Sequence, residues 1–361
     1  MTRPNGPFLH SKEAEIMITG KDIADATGFA LSTVEKVLRG HSARYKINPA
    51  TTRNILETAR KLGYHRNEAA VITRTGVNRT VGIFALQTSD MHAVQSKIIS
   101  GIVSEAAHHD YSVTMFDTQN SLEKSFGALL SKRIRNIIYL AERNPEKCRR
   151  IADFCRDNGL APVFVTEGQK NRVPVVMTDD RNGMKTGIRY LLANGHRRIA
   201  VITADYYPER FAAAQEAFQE AGISWDPDFC IVHRTGITYA ELAGRIDRIL
   251  AGTHRPEAFS CITDDVAMMV MMLAYRRGIR IPDELSVIGY GNAYPIIQYA
   301  MAPLTTVGQP FQQLGETAFR VAAGLPVDVR KDSEGRYLVP TTLIERESVK
   351  NKTQKEKECV S

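Results

Sequence analysis

Several features that would commit this chain to a function class are scarce or missing. Only five cysteines occur in 361 residues, Cys148, Cys155, Cys230, Cys261 and Cys359. They are odd in number, widely spaced and form no Cys-x-x-Cys pair, which argues against a disulfide framework or a zinc site and points to free thiols in a reducing compartment. No run of about 20 apolar residues exists, so no membrane-spanning helix is expected. Lys12, Glu13, Glu15, Lys21, Asp22 and Asp25 interrupt the first thirty residues, where a secretion leader would need an apolar core, and the chain is expected to stay in the cytoplasm. G-x-S-x-G, H-E-x-x-H and Walker sequences are all missing, so no enzyme, metal or cofactor is expected.

The composition that is present, 43% hydrophobic and 24% charged residues, is that of a soluble globular protein, and the length calls for two or three units. The net charge of +7 is unevenly spread. Residues 1–76 hold 12 Lys+Arg against 7 Asp+Glu, and the rest hold 35 against 33. A basic module ahead of a near-neutral bulk suits phosphate neutralisation, although a basic solvated face would give the same count.

Residues 1–17 read as a flexible tail. Three helical patterns follow, at 21–27, 31–39 and 49–62, the last with Asn48 as N-cap, Pro49 in the first helical position and Ile55, Leu56, Ala59 and Leu62 on one face. After Thr80 the pattern alternates. Strands are predicted at 81–86, 112–116, 136–140, 162–166, 173–177, 198–203, 229–233, 258–262 and 286–290, separated by amphipathic helices such as 95–109 and 183–194. This predicts an all-α headpiece followed by an α/β core of two doubly wound parallel-sheet subdomains, with ligands beyond the carboxyl ends of the strands. The expected divisions are a tail at 1–17, a basic three-helix unit at 18–66, a connecting segment at 67–79, a core at 80–347 and a second tail at 348–361.

Residues 20–40 carry helix-turn-helix spacing. Ala24 is small where two helices must cross, Gly28 suits a turn with positive φ, and Val34 and Val37 face back onto Ile23. An ordinary helical hairpin remains the alternative. Leu31, Ser32, Thr33 and Lys36 lie outward and early on the second helix, where base edges are met in this geometry. In the core, Asp264-Asp265 opens a helix, where carboxylates simply complement the dipole or, for Asp264, bond an effector. His196 reads as a helix C-cap feature. The helix after Asp265 carries Met268, Met269, Met271 and Met272 on more than one face, so that either core filling or burial of Met269 against a second subunit follows.

Residues 19–37, then Ile47-Asn48-Pro49 with Thr51, and Leu62-Gly63-Tyr64 with Asn67 and Ala70, resemble the headpiece and hinge of the LacI/GalR family. The resemblance continues through Val81-Gly82-Ile83, Gly195-His196-Arg197-Arg198-Ile199, Asp264-Asp265, Ile281-Pro282, Ser286-Val287-Ile288-Gly289 and Pro303-Leu304-Thr305-Thr306-Val307 with Gln309. It implies a periplasmic-binding-protein-like core and a repressor that binds double-stranded operator DNA as a homodimer, or a tetramer, under control of a sugar-like effector. By position, Leu31, Ser32 and Lys36 would read bases, Lys21, Thr33, Arg39, Thr51 and Asn67 would touch phosphate or sugar, and Ala70 and Thr73 would serve the hinge.

It likewise implies effector contacts at His92, Glu167, Arg210, Asp264, Asn292 and Phe311. Departures from the family pattern stand out. Ala30 replaces a Ser cap, Glu35 places an anion near phosphate, and about three residues are inserted around Arg44-Tyr45-Lys46. Arg66 replaces Pro, and Thr73 replaces a wedging Leu, which leaves a plain linker as an alternative to the hinge. Gly291 stands where many members carry an effector-binding Asp, which suggests an anionic ligand or none. A solute-binding or sugar-processing protein on the same fold is the rival from another class.

Overall fold

The computed structural model describes residues 18–65, 72, 76–85, 92–118, 122–140, 145–166, 173–224 and 226–353, and the chain divides into two compact units, Met1–Val77 and Asn78–Ser361. In the first unit, α1 (Gly20–Thr27) begins with a capping box. The Asp22 carboxylate accepts the Thr19 N–H at 2.7 Å, and the Thr19 hydroxyl accepts the Asp22 N–H. These bonds satisfy donors that the first turn cannot pair by itself. Gly28 turns the chain at φ +72° into α2 (Leu31–Leu38), and Asn48 caps α3 (Pro49–Lys61) by accepting the Ala50 N–H at 2.8 Å.

Ile23, Ala24, Val34, Val37, Ile55 and Ala59 close a small core between the three helices. Leu56 and Leu62 do not join it and are 44% and 38% exposed, contrary to the sequence expectation. The buried stripe of α3 runs through Ile55 and Ala59. Leu56 sits about 100° round from that stripe, and Leu62 lies past the last helical residue.

The second unit holds two mixed, mainly parallel sheets. One has the order β11-β12-β5-β4-β3-β1-β2, made of β1 (Thr80–Ala85), β2 (Ser112–Asp117), β3 (Asn136–Leu140), β4 (Ala161–Val165), β5 (Val175–Thr178), β11 (Arg330–Lys331) and β12 (Tyr337–Val339). The other has the order β13-β10-β9-β8-β6-β7, made of β6 (Ile199–Ala204), β7 (Cys230–His233), β8 (Ala258–Cys261), β9 (Ser286–Gly291), β10 (Thr305–Gly308) and β13 (Thr342–Ile344). Every residue of β6 and β9 is buried, because helices cover both faces. Those helices are α4 (His92–His108), α5 (Leu122–Ser131), α6 (Pro145–Asp157), α7 (Asp180–Ala193), α8 (Pro208–Glu220), α9 (Tyr239–Ala251), α10 (Asp264–Arg276) and α11 (Phe311–Ala322).

All nine predicted strands are present within a residue or two. The sequence did not announce β10 as a strand, nor β11 to β13, which are only two or three residues long and pair antiparallel at the sheet edges or return the chain to them. The crossing of α4 and α11 is very close: a Cβ on Gly101 would stand 2.0 Å from the Gln312 carbonyl oxygen, and one on Gly315 would stand 2.0 Å from that of Ile98. Only glycine permits that approach, and it seats Phe311 at the head of α11 in the core of the first sheet.

On α10, Met268 and Met269 pack against their own core, while Met272 and Tyr275 are the exposed apolar side chains. Met269 is partly buried against its own core, as the core-filling alternative allows, and Met272 is the more exposed methionine. His196 is buried at the end of α7, its N–H reaching the Leu191 carbonyl as a C-cap requires, with Nε2 3.0 Å from the Lys350 carbonyl. Cys148, Cys155 and Cys261 are buried and Cys230 is partly buried, and none of these four described cysteines forms a disulfide. No described helix is long and apolar enough to cross a membrane.

Candidate DNA-reading surface and ligand cleft

The N-terminal turn of α2 carries Leu31 and Ser32 on its exposed side, with Thr33 partly buried and Lys36 one turn on from Ser32. Ala30 supplies no side-chain cap, and the Thr33 and Val34 N–H groups donate to its carbonyl at 2.8 and 3.1 Å instead. Glu35 is paired with Arg39, an i,i+4 contact that screens the carboxylate and partly occupies the guanidinium expected at phosphate. Lys36 Nζ lies 4.6 Å from the centroid of the Tyr45 ring, and Arg44 Cζ lies 5.8 Å from it. Lys21 is exposed in the first turn of α1, and Thr51 is partly buried in the first turn of α3. Asn67, Ala70 and Thr73 lie outside the described residues.

In the core, polar side chains converge where the strands end. Asp180, at the start of α7 just after β5, accepts from Arg210 Nε at 2.9 Å, from the Tyr290 hydroxyl at 3.1 Å and from Gln309 Nε2 at 3.2 Å. Arg210 Nη1 also donates to the Ile262 carbonyl at 2.8 Å, and the guanidinium lies 4.1 Å from the Tyr207 ring and 4.0 Å from the Tyr290 ring. Only 3% of Arg210 is exposed. Burial works against its charge, but the Asp180 carboxylate and the two tyrosine rings outweigh that and hold its pKa above the ordinary value. Gln309 Nε2 also donates to Thr178 Oγ1 at 2.7 Å, joining the end of β5 in one sheet to the end of β10 in the other.

Asp264, the first residue of α10, is buried and accepts from the Thr306 hydroxyl at 2.6 Å and the Ala293 N–H at 3.3 Å. Burial pushes its carboxyl above the ordinary carboxylate range against the pull of those bonds. Asn292 Oδ1 accepts from Arg346 at 3.0 Å, and Lys97 Nζ, on α4, donates to the Ala293 carbonyl at 2.6 Å and the Asn292 carbonyl at 3.2 Å. Phe311 is buried beside Ala293 in the same apolar cluster. Glu167 and the side chain of His92 lie outside the described residues. The structure thus brings Arg210, Asp264, Asn292 and Phe311 to one end of the sheets. It adds Asp180, Tyr290, Gln309 and Lys97, which sequence reasoning did not place in the cleft. The signal that would have pointed to Asp180 is the Asp179-Asp180 pair at the start of α7, where Asp179 is the N-cap.

A family model described as a periplasmic binding protein-like domain matches residues 188–349. The HTH-type transcriptional repressor PurR of Escherichia fergusonii is 30% identical over 341 residues, covering 92% of this chain and 97% of that protein. The chain belongs to the LacI/GalR family. This LacI/GalR member is a DNA-binding transcriptional regulator and not an enzyme. The PurR repressor of Vibrio cholerae is 26% identical over 347 residues, covering 94% of this chain and all of that protein. Among solved structures, the lac repressor dimer bound to operator and the anti-inducer ONPF has a TM-score of 0.70 at 21% identity, covering 92% of this chain and 99% of that one. The CelR–cellobiose complex has a TM-score of 0.62 at 20% identity over 92% of this chain and 99% of that one, and likenesses at this level establish the shared fold.

Proposed function

We propose that this regulator represses transcription in the cytoplasm as a homodimer on a two-fold operator, with Leu31, Ser32 and Lys36 at base edges. Lys21, Thr33, Arg39 and Thr51 hold phosphates, and Asn67, Ala70 and Thr73 contribute from the hinge. The observation that carries this is the placement of Leu31 and Ser32 exposed on the first turn of α2, followed one turn later by Lys36, in a basic three-helix unit. Hydroxyls and cations position a protein on phosphate, and an ammonium donates to guanine acceptors. In vitro selection of duplexes by the full chain tests it. Lys36→Ala should relax preference at one half-site position, at a cost of about 1–3 kcal/mol, whereas Arg39→Ala should weaken all sequences alike. A uniform loss from both would overturn the base-reading role of Lys36.

The effector is an anionic sugar derivative bound at the strand ends, contacted by Arg210, Asp264, Asn292 and Phe311 with Glu167 and His92. Gly291 takes away a carboxylate found in many relatives, and the Lys97 ammonium bonds to the very next residues. Both features make the site more favourable to an anion, the one by the absence of a repelling carboxylate and the other by a nearby cation. Calorimetry with acidic and phosphorylated sugars should find binding that neutral sugars lack. Micromolar binding of a neutral sugar, undiminished in Arg210→Lys, would contradict it. A second reading, a regulator without an effector, is favoured by the internal bonding of Arg210 and Asp264, and the absence of any thermal shift across that ligand panel would support it.

A further inference from the structure

Tyr45 is half exposed, outside the apolar core of the three-helix unit, yet its backbone is closely fixed. Its N–H donates to the His41 carbonyl at 3.1 Å, and the flanking Lys46 and Ile47 N–H groups donate to Ala43 and Ser42 at 3.1 and 2.9 Å. The loop itself is tied to α2 by the His41 N–H on the Lys36 carbonyl at 3.0 Å, while Ile47 anchors its far end against the core. A loop so held presents an aromatic ring whose burial contributes little, flanked in sequence by Arg44 and Lys46. The Lys36 ammonium rests against that ring.

We propose that Tyr45 is a specificity-determining positioning residue, its ring face directing the Lys36 ammonium toward one base pair while Arg44 adds a phosphate contact. A lysine on a free helix face is a mobile point charge with four rotatable bonds, poorly suited to choosing between neighbouring bases. An aromatic face attracts the ammonium and narrows its range before DNA arrives, so less freedom is lost on docking. Because the loop is bonded to the C-terminal end of α2, ring and lysine move together when that helix enters a groove. The inference rests on the proposal that the three-helix unit binds DNA.

The test is duplex selection followed by anisotropy titration with the full chain and four variants. In Tyr45→Ala, discrimination at the base pair governed by Lys36 should fall by about two- to five-fold, the range of an exposed cation–π contact. Tyr45→Phe should retain it. Lys36→Ala and the double variant Lys36→Ala/Tyr45→Ala should select alike, because the ring acts through the lysine. Arg44→Ala should lower the salt slope of affinity by about one and leave the selected sequence unchanged. Thermal transitions should match the parent, since Tyr45 lies outside the core. If the parent selects sequences and Tyr45→Ala selects them equally well, or loses affinity uniformly across sequences, the role assigned to Tyr45 is wrong. If the parent selects nothing, the DNA-reading proposal beneath it fails as well.

Discussion

On α2, Leu31 is 43% exposed and Ser32 faces solvent beside it, whereas at the strand ends of the core Arg210 and Asp264 are 3% and 2% exposed and bonded to protein partners. The difference follows from what each surface must do without its ligand. A polyanionic duplex is met by groups that remain hydrated until phosphates and base edges replace the water. A charge inside a protein has no such reserve and must be paired on the spot, as Arg210 is by Asp180, or it would cost several kcal/mol. An effector entering the core therefore has to exchange partners with an existing network, while DNA approaching α2 meets the exposed Leu31 and Ser32 and cations held only by a half-exposed ring and a partly exposed ion pair.

That contrast predicts opposite consequences for removing a side chain. Arg210→Ala leaves the Asp180 carboxylate buried without its cation and should lower unfolding stability in urea by about 3–5 kcal/mol. Lys36→Ala should shift it by no more than about 0.5 kcal/mol. Equal effects would erase the distinction. Next in size is Gly291→Asp, which restores the residue common in the family. Gly291 has φ +127° and a Cβ there would lie 3.4 Å from an Asp264 oxygen, so strain and like charge should together cost about 1–3 kcal/mol rather than improve the cleft.

A third prediction concerns pH. Burial, reinforced by the nearby Lys352 charge, lowers the pKa of His196 below its ordinary value. The folded state thus prefers the neutral ring, and the associated stability is complete above the unfolded pKa near about 6.5 and is lost as pH falls through the lower folded value. Thermal unfolding of the core between pH 7 and 5 should show a slope of at most about 1.4 kcal/mol per pH unit from this group, and His196→Gln should remove it. No change in slope would mean that His196 is not the group responsible. The smallest effect is in the headpiece. Ala30→Ser gives α2 the cap it lacks and should stabilise that unit by about 0.5–1 kcal/mol, read from hydrogen exchange of α2.

Much of this architecture was legible in the residues because local rules and tertiary packing agree. Gly28, Ala24, Val34 and Val37 specified the helix pair, and the nine apolar runs specified two buried sheets. Failures arose where local pattern gives no choice. On α10 methionines occupy several faces, so sequence alone does not say that Met269 is partly covered by its own core while Met272 is exposed. Two- and three-residue edge strands such as β11 and β13 are too short to show a period. The cleft was half legible: Arg210 and Asp264 came from family position, but the Arg210–Asp180 pair joins two helices 30 residues apart, and no spacing rule reveals it.

The central claim is that sequence-specific DNA recognition lies in the first unit and not in the core. Anisotropy titration of a selected duplex and a scrambled duplex, with the full chain and with a chain beginning at Asn78, tests it most directly. The full chain should prefer the selected duplex by about 1,000-fold or more, and the shortened chain, still showing a cooperative thermal transition, should show no preference. A shortened chain that keeps the preference would contradict the account.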